Sequence, residues 1–205
     1  MRIPILPHVD ARASALIVAL ALPACAAMPS HSEPAKEIAA MTAEPANAAN
    51  AQDLADRVLR LIENLHGAED LAPQNVERLT GLKIDVHSAD GNDYGTAGRL
   101  TDTWYYGLRS MTPQPGARPN RLLFQFNDQT HADADMTPVC VPIDDYARAL
   151  TTAGFESKKL RNRLDTQDYW EFSRGDIGVT VHVRGQRDPK DPQTCISMLI
   201  INAYD

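Results

Sequence analysis

Long hydrophobic runs are missing from this sequence. The most apolar stretch, residues 13–22, is about half the ~20 residues that a helix needs to cross ~30 Å of hydrocarbon. Positive charge is also short: 20 Lys and Arg stand against 27 Asp and Glu, a formal net charge of −7. That balance excludes a nucleic-acid binder, whose phosphate contacts require a basic face, and it suits basic partners. Catalytic signatures are absent too. There is no G-x-S-x-G elbow, no Walker loop, no dinucleotide glycine fingerprint and no H-E-x-x-H, and no repeat at a fixed period. His66, His87, His131 and His182 are scattered singly, so no imidazole pair at helical spacing offers a zinc site. Cysteine is sparse, with three in 205 residues.

What the chain does have begins with a short apolar core behind Arg2 and Arg12, the charge and length pattern of a secretory leader. Leu22-Pro23-Ala24-Cys25 follows at once. These four residues resemble the lipobox of bacterial lipoproteins, in which the chain is cut before the cysteine and its thiol is acylated. The resemblance implies a signal peptide over residues 1–24 and a membrane anchor at Cys25. With Ala26 rather than Asp after the cysteine, it implies the outer membrane, periplasmic face. Ordinary cleavage around Ala24-Cys25-Ala26 is the rival processing and would release a soluble periplasmic protein. The cut before Cys25 removes two arginines and one aspartate, leaving the mature chain one unit more negative than the whole, whereas the rival cut would discard Cys25 as well.

Residues 25–52 form the next segment, comprising Cys25 and a stretch with ten alanines and three prolines. Pro29, Pro34 and Pro45 interrupt each helical window, so a flexible tether is expected. Residues 53–205 then have the length of one compact domain. Leu54, Val58, Leu61, Ile62 and Leu65 recur at helical spacing after Asp53, an N-cap candidate, and Gly67 ends the pattern. A short helix starting at Pro73 and ending at Gly81 follows.

Beyond Gly81 the period changes to two. Leu82, Ile84 and Val86 alternate with polar residues, and "SADGNDYG" reads as a turn. "GRLTDTWYYGLRSM" aligns Leu100, Trp104, Tyr106 and Leu108, and "RLLFQFND" gives a further strand. A second block repeats the plan: a helix with Asp144 or Asp145 as N-cap and Gly154 as stop, a strand "ESKKLRNRL", and a hairpin across Gly175-Asp176. In the last run, "CISMLIIN", apolar residues fall on both parities, which predicts a central strand covered on both sides. The fold class expected is α+β, an antiparallel sheet with helices packed on it.

Cys140 and Cys195 remain as an even pair in an oxidising compartment and are expected to form a disulfide, pinning the second helical block to the last strand. Three groups of residues are candidates for recognition. Asp128, Asp133 and Asp135 crowd an acidic loop with Asn127 and His131, and Tyr105 lies opposite Trp104 in strand alternation. Their carboxylates suit a basic protein surface through complementary charge. Lys159, Arg161 and Arg163 fall on one parity of a strand and suit an anionic lipid or glycan, although basic residues also guard edge strands. No cofactor and no metal is expected, the acidic loop reading as solvated.

The function expected is therefore a lipid-anchored periplasmic protein-binding module, such as an inhibitor or immunity protein or an envelope-complex accessory, with a periplasmic protein partner. By general form the chain resembles lipoprotein inhibitors. A carrier or sensor of an anionic lipid or glycan, and a periplasmic hydrolase around His131, are the alternatives.

Overall fold

Helix α1, Ala51–Glu63, is the first described element. Its N-cap is Asn50, whose side-chain oxygen accepts from the Asp53 amide at 2.7 Å. Asp53 is thus not the cap: it sits in the first turn and takes a hydrogen bond from Arg57 at 2.8 Å. Leu54, Val58, Leu61 and Ile62 form the buried stripe that their spacing predicts. A 3-10 turn, Ala68–Leu71, leads to α2, Pro73–Thr80, with proline in the first turn and Gly81 in the left-handed conformation at its end. The computed structural model describes residues 50–161, 168–185 and 194–204, all within the unit Glu44–Asp205. The leader, Cys25, most of the tether and Arg163 lie outside the described residues.

Eight strands follow: β1 (Asp85–Val86), β2 (Tyr94–Arg99), β3 (Trp104–Met111), β4 (Arg121–Asp128), β5 (Glu156–Arg161), β6 (Asp168–Arg174), β7 (Ile177–Gly185) and β8 (Thr194–Ala203). They form one antiparallel sheet in the order β1-β2-β3-β4-β8-β7-β6-β5. Each half is a four-stranded meander preceded by helix, and the halves join where β4 pairs with β8. Helix α3, Ile143–Thr152, opens the second half. Its N-cap is Pro142, with Asp144 and Asp145 in the first turn, where acidic groups complement the helix dipole. Gly154 ends it at φ +87°, a backbone state that favours glycine.

One face of the sheet is closed. Leu122, Phe124, Phe126, Leu108, Phe172, Val179, Val181, Leu199 and Ile201 are buried there in a continuous core with α1, α2 and α3. Two polar devices hold the helices on it. The Tyr94 hydroxyl donates to the Leu71 carbonyl of the 3-10 turn, and burial raises its pKa well above the ordinary value. Arg174 donates to Glu63 and Leu65 at the end of α1 and to Ala153 at the end of α3, all at 3.0 Å. A guanidinium at the negative ends of two helices satisfies carbonyls that the helices leave open.

The expected disulfide is present: Cys140 and Cys195 are bonded, their Cα atoms 5.0 Å apart. Ile196 also donates to Val141 at 2.9 Å, so the chain entering α3 is fastened to β8 by a covalent and a backbone link.

Three strand expectations need correction. The strand expected from Leu82 shrinks to Asp85–Val86, because the amides of Leu82 and Ile84 are taken by Thr80 and Glu77 of α2 rather than by a neighbouring strand. Residues 94–99, read partly as turn, are strand β2, and Leu100 lies in the turn before β3 instead of on its face. Finally, β8 is central, but the described residues cover it on one side only: Cys195, Ile196, Leu199 and Ile201 are buried, whereas Met198 and Ile200 are half-buried and outside the core.

Candidate recognition face

The strand registers place the half-buried residues in rows across the face opposite the helices. One row runs Gly107, Gln125, Met198, His182, Tyr169 and Leu160 from β3 to β5. The next runs Arg109, Leu123, Ile200, Thr180, Glu171 and Lys158. Leu123 and Ile200 are direct cross-strand partners and Met198 lies in the adjacent row, so the apolar centre spans the joint between the two meanders. Tyr169 and His182 stack with ring centroids 6.0 Å apart. Burial pushes the His182 imidazole below its ordinary pKa, so the neutral ring is favoured there.

Two concavities adjoin this centre and share Gln125. One, of about 430 Å³, is bounded by Asp85, His87, Arg109 and Leu123 with Gly95, Ala97 and Gly107 beneath. The other, of about 400 Å³, is bounded by Asn127, Asp128, His131, Arg184, Ser197 and Met198. Among the described residues no hydrogen bond is made by the Gln125 or Asn127 side-chain amides, which leaves donors and acceptors beside the apolar patch.

The sequence candidates separate on this frame. Tyr105 lies on the open face, its register partner being Asn127. Asp128 borders the second concavity, but one of its oxygens accepts from the Thr130 amide, the Thr130 hydroxyl and the His131 amide. A hydrogen bond from the Thr103 side chain, followed by those from Thr130 and His131, holds its carboxyl well below the usual range. Asp128 therefore shapes the loop as a half-buried, fixed anion. Asp135 does the same for the next turn, accepting from the Thr137 amide and hydroxyl. Asp133 is exposed and acts on Arg184 through its charge.

Lys159 and Arg161 lie on β5, which is an edge strand, and pair by register with Trp170 and Asp168, the parity of the closed face. The Lys159 ammonium stands 5.8 Å from the Trp170 ring. Neither concavity described above touches them. Among the described residues no group of three His, Cys, Asp or Glu side chains could hold a metal ion. No described helix is long and apolar enough to cross a membrane.

Sequence reasoning missed Leu123, Met198, Ile200 and the residues lining the first concavity. The signal for Met198 and Ile200 was present in the apolar residues at both parities of β8, but it pointed to burial; Leu123 lies on β4 beside Leu122. No family model, curated protein or solved structure matches the chain.

Proposed function

We propose that the chain is an envelope lipoprotein, tethered through Cys25 to the outer membrane, whose domain binds a periplasmic protein through the open face of its sheet. The observation that carries this reading is the half-buried apolar centre formed by Leu123, Met198 and Ile200 on the two central strands, over which no described element lies. One-sided antiparallel sheets ordinarily alternate hydrophobic-in with polar-out. Apolar residues on both parities of β8 break that alternation at its middle, where a partner gains most from excluding water. Tyr105 and Tyr169 add aromatic area at the sides, and Gln125 and Asn127 supply hydrogen-bonding groups at the rim. The fixed anion at Asp128 with the exposed Asp133 gives the adjoining loop a surface suited to a basic partner.

The hydrolase alternative gains no support from Asp128, whose carboxyl is held ionised by loop hydrogen bonds and lacks the raised pKa of a general acid. The anionic-ligand reading rests on Lys159 alone among the described side chains, and that residue lies on the parity of the closed face, away from the two concavities described above.

Photo-cross-linking in intact envelopes tests the proposal. A photoreactive residue at Ile200, or at Tyr105, is expected to give one discrete protein adduct, whereas the same residue at Arg148 on the exposed side of α3 gives none. Absence of an adduct from the sheet face, or equal adducts from α3, would overturn the reading.

A further inference from the structure

The first concavity carries chemistry that partner recognition does not use. Asp85, Gly95 and Arg109 lie in one register row across β1, β2 and β3, so the missing side chain at Gly95 leaves a gap between a carboxylate and a guanidinium. Their backbones stand two strand spacings apart, ~10 Å. Among the described residues neither makes an ion pair, with the other or elsewhere, and both are exposed. The gap thus has opposite charges facing it from its two sides, an apolar wall at Leu123, and hydrogen-bonding groups at His87 and Gln125.

Its floor has no internal reason to be as bare as it is. Gly95 is required, because a Cβ there would meet the Leu108 carbonyl oxygen at 2.7 Å. Gly107 is not: a Cβ on it would meet nothing within 4 Å, and its φ lies outside the positive range. Glycine inside a strand costs backbone entropy and forgoes packing, and an interior glycine often marks close approach of another molecule. Here the space above Gly107 is the cavity itself, within the size range of small-ligand sites.

We infer that this cavity binds a short zwitterionic peptide with apolar side chains, its ammonium toward Asp85, its carboxylate toward Arg109 and its side chains on Gly107, Ala97 and Leu123. Two extended residues span up to ~7 Å, which lets a dipeptide reach between the two charged side chains across the gap. A ligand carrying only one charge satisfies one wall and faces the like charge of the other. The inference is tested apart from partner recognition, since it concerns the isolated chain and turns on Asp85, Gly107 and Arg109, although Leu123 and Gln125 border both sites.

Amide NMR of the protein with the dipeptide Leu-Phe tests it, beside the N-acetylated, C-amidated and doubly blocked forms. Saturable shifts are expected at Gly95, Ala97 and Gly107. Blocking either end should weaken binding about fivefold, the factor supplied by an exposed ion pair of about 1 kcal/mol. Gly107→Val should abolish the shifts while leaving the melting temperature unchanged or raised. Arg109→Gln should make the amidated and free-acid peptides equivalent, and Asp85→Asn should do the same for the acetylated and free-amine forms. No saturable shift up to the peptide's solubility, binding that survives Gly107→Val, or equal affinity for all four peptides would overturn the inference.

Discussion

The two faces of the sheet are built from alternate residues of the same strands and have opposite characters. On β4, Leu122, Phe124 and Phe126 are buried beneath the helices, while Leu123, Gln125 and Asn127 stand half-buried on the other side. On β8 the same alternation sets Leu199 and Ile201 against Met198 and Ile200. The closed face is saturated: covered by helices, fastened by Arg174, and linked to α3 through the disulfide at its margin. The open face has comparable apolar side chains at its centre and no described element over them. Stability is concentrated on one side of the sheet, and unspent recognition chemistry on the other.

Substituting across the divide should expose that asymmetry most strongly. Phe124→Ala, on the closed face, is expected to cost about 3–5 kcal/mol in urea denaturation, transfer and cavity terms together. Leu123→Ala, one residue away, should cost less than about 1 kcal/mol, because its site is already partly hydrated. Equal losses would erase the distinction.

Arg174→Met keeps most of the side chain's length and removes donors from the ends of α1 and α3. A loss of about 2 kcal/mol is expected, since charged donors to carbonyls are worth more than neutral ones. Hydrogen exchange should rise at the last turns of both helices together. A rise in one helix only would mean that the guanidinium is not their shared cap.

Tyr146 shows that even the closed face is imperfect. Its hydroxyl is fully buried with no hydrogen-bond partner among the described residues, and burial beside Asp56 and Glu63 raises its pKa. Tyr146→Phe should therefore be neutral or stabilise the fold by up to about 1 kcal/mol. Destabilisation would reveal a partner for the hydroxyl.

The smallest effect concerns pH and the open face. The His182 pKa is depressed in the folded chain, so its stabilising contribution is present above the ordinary value of about 6.5 and is lost as pH falls through the folded value. Melting temperature should fall more between pH 7.5 and pH 5 in the native chain than in His182→Gln. An unchanged slope would place the imidazole in bulk-like solvent.

How much of this was legible in the sequence depended on whether the signal was local. The stripes of α1 and α3, strand β4, the hairpin at Gly175-Asp176 and the disulfide could be read from spacing and cysteine parity. Strand β2 could not, since Gly95, Ala97 and Gly98 supply no hydrophobic alternation; contacts with β3 account for its two glycines, through the Leu108 carbonyl and the Tyr106 ring. Asn50 was overlooked as a cap because it sits among alanines and looks like tether. The open face was hidden for a different reason: side-chain chemistry reports that Met198 and Ile200 are apolar, but only the three-dimensional arrangement reports what covers them.

The most direct test lies within one strand, at the neighbours Ile200 and Ile201. Aspartate at Ile201 should prevent folding, because it buries a carboxylate beneath the helices. Aspartate at Ile200 should leave a folded domain, with a melting temperature within a few degrees of the native chain, that no longer gives the protein adduct from Tyr105. Unfolding by both substitutions alike would show that the second face is core, and would contradict its role in recognition.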